Sequence, residues 1–291
     1  MVRGVDHIVL AVADLDMARD LFTSLGFTVT PTAFHPFGTK NALVQLDGAY
    51  LELLAVDDEN QIPVATKGCF SFPRFNLNFL TRRQGASMMV LRSEDAVGDI
   101  ADFKALGLET YPQFDFERDA RQPDGSSKRL SFSNGFLSHP LMKETGFFVC
   151  QHKHDPASFW HAIYQQHVNG VKDLLSIVFV AENPSDHHEF LGGFTGQREM
   201  RSTSAGVEMA IRNGTVDILT PAAAKAFFNL DVPGDMAEEG GILALKLGAD
   251  LEAFTSILER SGIAWSVHHG DIVIQPDALC GVGLIVSNSP E

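Results

Sequence analysis

The sequence predicts an α+β protein built from four βαβββ modules in two tandem halves. Three observations carry this expectation. Near the N-terminus a strand, an amphipathic helix, a glycine stop and three more strands follow in that order. The order returns at a constant offset of 81, where Leu106-Gly107-Leu108 matches Leu25-Gly26-Phe27. Two looser copies occupy the C-terminal half.

The first module opens with the apolar run Gly4 to Val12, a strand that contains His7. Asp14 can cap a helix that places Leu15, Ala18, Leu21, Phe22 and Leu25 on one face, and Gly26 stops it in a left-handed position. Phe27–Thr30 begins a strand. Gly38–Leu46 and Tyr50–Val56 form a hairpin about the Asp47-Gly48 turn. In the second module Ser87–Arg92 is the strand, Asp95 caps the helix, and Tyr111–Phe116, Lys128–Ser133 and Phe147–Gln151 are the later strands. Asp155-Pro156 starts a connector helix over 155–168. The third module has strands at Leu174–Val180, Gly206–Ile211 and Thr215–Leu219, with a helix over about 184–191. The fourth has Ile242–Leu247, a helix over Leu251–Arg260, then Ala264–Val267, Ile272–Gln275 and Val282–Val286. The implied halves are 1–170, with modules over 4–56 and 86–152, and 171–291.

A formal net charge of −15 repels phosphate backbones and anionic lipid, so nucleic-acid and membrane-surface partners are disfavoured. No apolar run is long enough for a transmembrane helix. Three widely spaced cysteines fit a reducing cytoplasm better than a disulfide framework, and no signal-like segment opens the chain. A cytoplasmic protein with a small-molecule substrate is the expectation, with a homodimer left open. No glycine-rich phosphate loop and no nucleophile elbow is present.

His7 and Glu52 are the most informative residues, an imidazole and a carboxylate alone in strands that otherwise favour burial. They read either as a functional pair or as a buried hydrogen-bonded couple. His152, in Gln151-His152-Lys153-His154, reads as a ligand, a general base or the exposed end of a strand. His35 and Lys40 flank a Gly38-Thr39 turn and suit a substrate carboxylate or phosphate, and Asn41 can organise backbone. His187-His188 point in different directions on a helix and are a poor joint site. Cys150 reads as core.

The run Val5-Asp6-His7-Ile8-Val9-Leu10-Ala11-Val12, the Leu25-Gly26-Phe27 stop and the Tyr50-Leu51-Glu52-Leu53 strand resemble the first module of the vicinal oxygen chelate superfamily. The stretch His35-Pro36-Phe37-Gly38-Thr39-Lys40-Asn41, and Phe148-Val149-Cys150-Gln151-His152 followed by His167-Val168-Asn169-Gly170, resemble its glyoxalase-like branch. The resemblance implies mixed sheets curled into cups, and a divalent metal (Zn, Fe, Mn, Co or Ni) held from the first and last strands of paired modules. It assigns His7, Glu52 and His152 as metal ligands and gives Glu52 and His152 catalytic roles. His35, Lys40 and Asn41 become substrate-binding. The offset of 81 puts Met88 at the second module's first-strand position, with Cys150 or His152 on its last strand. Leu174 and Leu243 fall near the equivalent positions of the other modules. The implied chemistry is isomerase, lyase or dioxygenase type. The alternative is a metal-free protein of the same fold that binds or sequesters a small molecule.

Overall fold

The computed structural model describes residues 1–289. The N-terminal half contains β1 (Val5–Ala11), α1 (Leu15–Ser24), β2 (Ala33–Phe34), β3 (Thr39–Gln45), β4 (Tyr50–Val56) and α2 (Phe72–Leu80). It continues with β5 (Gly85–Ser93), α3 (Ala96–Ala105), β6 (Glu109–Thr110), β7 (Phe114–Arg121), β8 (Ser127–Ser138) and β9 (Gly146–His152). These nine strands make one mixed sheet in the order β2-β3-β4-β1-β5-β9-β8-β6, with β7 paired to β8 off that path. The C-terminal half contains β10 (Asp173–Val180), α4 (His188–Thr195), β11 (Arg201–Thr203), β12 (Gly206–Ile211), β13 (Gly214–Leu219), α5 (Pro221–Phe228) and α6 (Gly234–Glu239). Then come β14 (Gly241–Ala249), α7 (Leu251–Ser261), β15 (Ser266–His268), β16 (Asp271–Ile274) and β17 (Gly283–Asn288). Their order, β11-β12-β13-β10-β14-β17-β16-β15, repeats the first sheet's plan. Four βαβββ modules are therefore present, with β7 an insertion into the second. Among the described residues no helix is long and apolar enough to cross a membrane.

Strand periodicity sets the layers. Ile8 and Leu10 of β1, Met89 and Leu91 of β5, Ile177 and Phe179 of β10, and Leu245 and Leu247 of β14 meet in one core shared by both sheets. The alternate residues face outward into two cups. Helix ends follow their signals: Asp14 caps α1, accepting from the Met17 backbone N–H, and Gly26 takes φ +82° just past its end.

Several segments depart from the sequence expectation; Tyr111–Phe116, expected as one strand, spans the gap between β6 and β7 and only the start of β7. The chain over 27–32 is not a strand. Thr28 donates to the loop after β9, to Gln166 through its hydroxyl and to His167 Nδ1 through its backbone, while Thr30 donates its N–H to the Leu43 carbonyl and accepts from the Leu43 N–H. The connector over 155–168 is two short 3-10 turns, Pro156–Ser158 and Ala162–Tyr164, rather than a helix. Gln45 takes over the backbone there, donating to the Phe159 carbonyl and accepting from the His161 N–H. The helices α2, α5 and α6 lie in stretches where no element is expected from the sequence.

Polar contacts join the halves. Asn213 accepts from the Val5 N–H at 2.7 Å and donates to its carbonyl at 3.0 Å, fixing the start of β1. Arg83 pairs with Asp235, and Arg82 with Glu239. Buried His139, just after β8, lies 3.2 Å from Nδ1 of His187. Its own Nδ1 accepts from the backbone of Leu141 and Met142. His139 is therefore the Nε2–H tautomer and donates to His187. Burial, with His187 beside it, lowers the pKa of His139 from 6.5 to about 3. The unfolded chain binds a proton here that the folded chain refuses, so stability falls as pH drops from about 6.5 toward 3. Thermal melts across that window should show the loss, and His139→Asn, which keeps an acceptor without an imidazole, should flatten it.

Candidate active site in the N-terminal cup

The site begins with a defect in β1. Against antiparallel β5, Val5 faces Leu91 and His7 faces Val90, so Asp6 is the extra residue of a β-bulge. The bulge gives a wholly buried carboxylate a place beside His7. Asp6 Oδ2 lies 2.8 Å from His7 Nδ1 and 3.1 Å from His152 Nε2, and Oδ1 accepts from Arg92 Nε at 3.3 Å. Burial alone would raise its pKa; the two imidazoles outweigh burial and hold it well below the carboxylate range.

His7 is stacked on Tyr50, its register partner on β4, with ring centroids 4.4 Å apart. Its Nε2 faces Glu52 Oε2 at 3.5 Å. Glu52 Oε1 accepts from Asn41 Nδ2 at 2.6 Å, and Asn41 lies 3.3 Å from His35 Nε2. His35 Nδ1 meets Thr39 Oγ1 at 2.8 Å. Burial, and then the Arg118 charge, push His35 well below the usual imidazole value, so it is neutral. The turn before β3 that delivers these residues depends on Gly38. At φ +83°, a Cβ there would sit 2.4 Å from the Asp58 carbonyl oxygen.

A pocket opens around this chain of polar residues. Phenylalanines from β7, β8, β9, α2 and the flanking loops form much of its wall, among them Phe116, Phe132 and Phe148. Arg118, on the inserted β7, also lines it. Arg118 is 8% exposed; its guanidinium lies 5.9 Å from the Phe132 ring centroid and has no hydrogen-bond or ion-pair partner among the described residues. Desolvation lowers its pKa, opposed by Glu52. The Oδ1 atoms of Asn41 and Asn134 are buried here without a donor.

The sequence-selected residues divide accordingly. His7, Glu52, His35 and Asn41 meet in the cup. His152 lies on the far side of Asp6 and does not line the cavity. Lys40 is not in the cup: on β3 its neighbours Thr39 and Asn41 turn inward, so it points the other way and pairs with Asp57 at 3.3 Å. Asp6, Arg118, Tyr50 and Asn134 carry site positions to which sequence reasoning gave no role. Arg118 did leave a signal, because Phe114, Phe116 and Arg118 alternate with Asp115, Glu117 and Asp119 at the period of a strand with one face turned to a cavity.

Register tests the metal expectation. Val9 faces Glu52 across parallel β1 and β4, and its equivalent Val90 faces Phe148 across β5 and β9. The second-module counterpart of Glu52 is therefore Phe148, not Cys150 or His152. With Met88 opposite, that module presents a phenyl ring and a core-buried thioether. These residues do not fit a divalent ion held from both modules. One group of three donor residues among the described residues, Asp6, Cys150 and His152, has its donor atoms within 4.8 Å of one another. There Asp6 is already bonded to two imidazoles and a guanidinium. Burial, and then the Asp6 charge, raise the pKa of the Cys150 thiol well above normal.

The second cup is different. The β10 register slips between Leu174 and Ser176 as β1 slips between Val5 and His7. Ser176 thus takes the place expected for Leu174, and Ala244 rather than Leu243 corresponds to Met88. Ser176 donates to Asp217 at 2.5 Å. Apolar side chains of α5, α6 and their connection, including Ala224, Leu230 and Met236, pack against the strands of that cup.

Comparisons with known proteins agree with this architecture. A structure described as a hypothetical protein from Staphylococcus aureus superposes with a TM-score of 0.72 at 12% identity, covering 99% of this chain and 100% of that one. A xylose isomerase-like TIM barrel/4-hydroxyphenylpyruvate dioxygenase fusion protein gives 0.56 at 9% identity, over 100% of this chain and 49% of that one. At such identities the likeness is one of fold. No curated protein matches the sequence. The model of the glyoxalase-like domain matches residues 5–194, and the chain belongs to that family.

Proposed function

We propose that the protein is an enzyme that binds a small oxygen-bearing organic substrate in the N-terminal cup and moves a proton on it with the His7–Glu52 pair. One observation carries this reading: His7 Nδ1 is held by Asp6 while Nε2 faces the Glu52 carboxylate. Asp6 requires a hydrogen on Nδ1. A lone pair on Nε2 would then face an anionic oxygen, an arrangement that a shared proton relieves. The pair is an acid and a base in contact, at the wall of a largely aromatic cavity. Asn41 engages Oε1 and leaves Oε2 for the exchange. Proton transfer beside a carbonyl is isomerase or lyase chemistry, and it requires only groups this chain supplies. His35 and Asn41 orient the pair and the ligand; His152 supports Asp6 from behind.

The aromatic wall also favours a second reading, a protein that binds and sequesters its ligand unchanged. One experiment separates the two. Ligands found by thermal-shift screening of small carbonyl compounds are incubated with the protein in D₂O and followed by NMR. Catalysed exchange of a C–H hydrogen next to the carbonyl is the expected result. Tight binding without exchange for every ligand supports sequestration instead.

A further inference from the structure

Arg118 is a buried cation whose geometry leaves its partner to come from outside the protein. Desolvating a guanidinium is costly unless a counter-charge repays it. The nearby carboxylate does not: Glu52 is engaged with Asn41 and His7, and Arg118 touches neither oxygen. The guanidinium lines the cup beside Phe116 and Phe132, and the unsatisfied Asn134 Oδ1 lines the same cavity.

We propose that the ligand of the cup is a singly charged carboxylate with an apolar body, and that Arg118 determines this specificity. The inference rests on the reading that the cup binds an organic substrate. A planar fork of donors matches a carboxylate in two parallel hydrogen bonds. Phosphate fits less well. A single guanidinium supplies one positive charge, and Glu52 in the same cavity repels a dianion. The phenylalanine wall takes an apolar body. Asn134 Oδ1 accepts a hydrogen bond from a ligand hydroxyl or enol. β7 is also the strand that the βαβββ plan lacks, so the insertion equips this cup with a charge that the second cup does not receive from an equivalent strand.

The test is calorimetric titration of the full chain with phenylacetate, phenylpyruvate, phenylacetamide and phenyl phosphate. The carboxylates should bind at least about tenfold more tightly than the amide, as charge-assisted hydrogen bonds imply. Arg118→Met keeps an unbranched apolar stem and removes the charge. It should bring carboxylate and amide to similar affinity, with Arg118→Lys intermediate. The wild-type and Met melting curves establish that both are folded. The proposal is overturned if the amide equals the carboxylates in the wild type, if none of the four binds, if phenyl phosphate binds most tightly, or if Arg118→Met keeps the preference. An Arg118-dependent preference without C–H exchange sustains this proposal and removes the proton-transfer reading. Exchange on neutral ketones with no carboxylate preference does the reverse.

Discussion

Glu52→Gln is expected to slow C–H exchange on a bound ligand by about 10²–10⁴-fold, the usual contribution of a positioned acid or base. The amide keeps the size of the carboxylate and can still engage Asn41, so ligand affinity should change little. That separation of rate from binding is the diagnostic feature. If Glu52 only completed a buried polar chain, the variant would lose stability and affinity together. NMR exchange rates and calorimetric affinities on the same preparations give both numbers.

Asp6→Ala is expected to destabilise the protein by about 3–5 kcal/mol, the cost of removing one partner from a buried charge network. His7 and His152 both lose their acceptor, and Arg92 loses an ion pair. Asp6→Asn preserves volume and should lose less stability, but its amide cannot hold His7 in the same way. In serine-protease triads the corresponding change leaves the geometry intact and lowers turnover about 10⁴-fold. Denaturant titrations measure the first effect. The pH dependence has a definite sign. Because the folded pKa of Asp6 is depressed, its contribution is present above the unfolded carboxylate value and disappears as pH falls through the folded one. The gap between wild type and Asp6→Asn should therefore be widest near neutrality and narrow in acid.

The module plan was legible because local signals agreed with global topology. Asp14 and Gly26 bracket α1, and Asp95 and Gly107 bracket α3, with apolar periodicity between. His7 and Glu52 stood out because each is polar in a strand that otherwise favours burial. What the sequence did not reveal depends on register. A one-residue bulge decides that Asp6 joins His7, and strand pairing decides that Phe148, not His152, answers Glu52. Neither is a local property of the chain. The connector was misread as a helix because the competing hydrogen bonds come from Gln45, more than a hundred residues away. Arg118 was overlooked because β7 lies outside the repeating unit.

The most direct test is C–H exchange by metal-stripped protein. After dialysis against a chelator, with residual metal measured by mass spectrometry, exchange on a bound ligand in D₂O should proceed at the untreated rate, because His7, Glu52 and Asp6 supply the proton chemistry. Loss of exchange on stripping, restored by adding a single divalent ion, would contradict it.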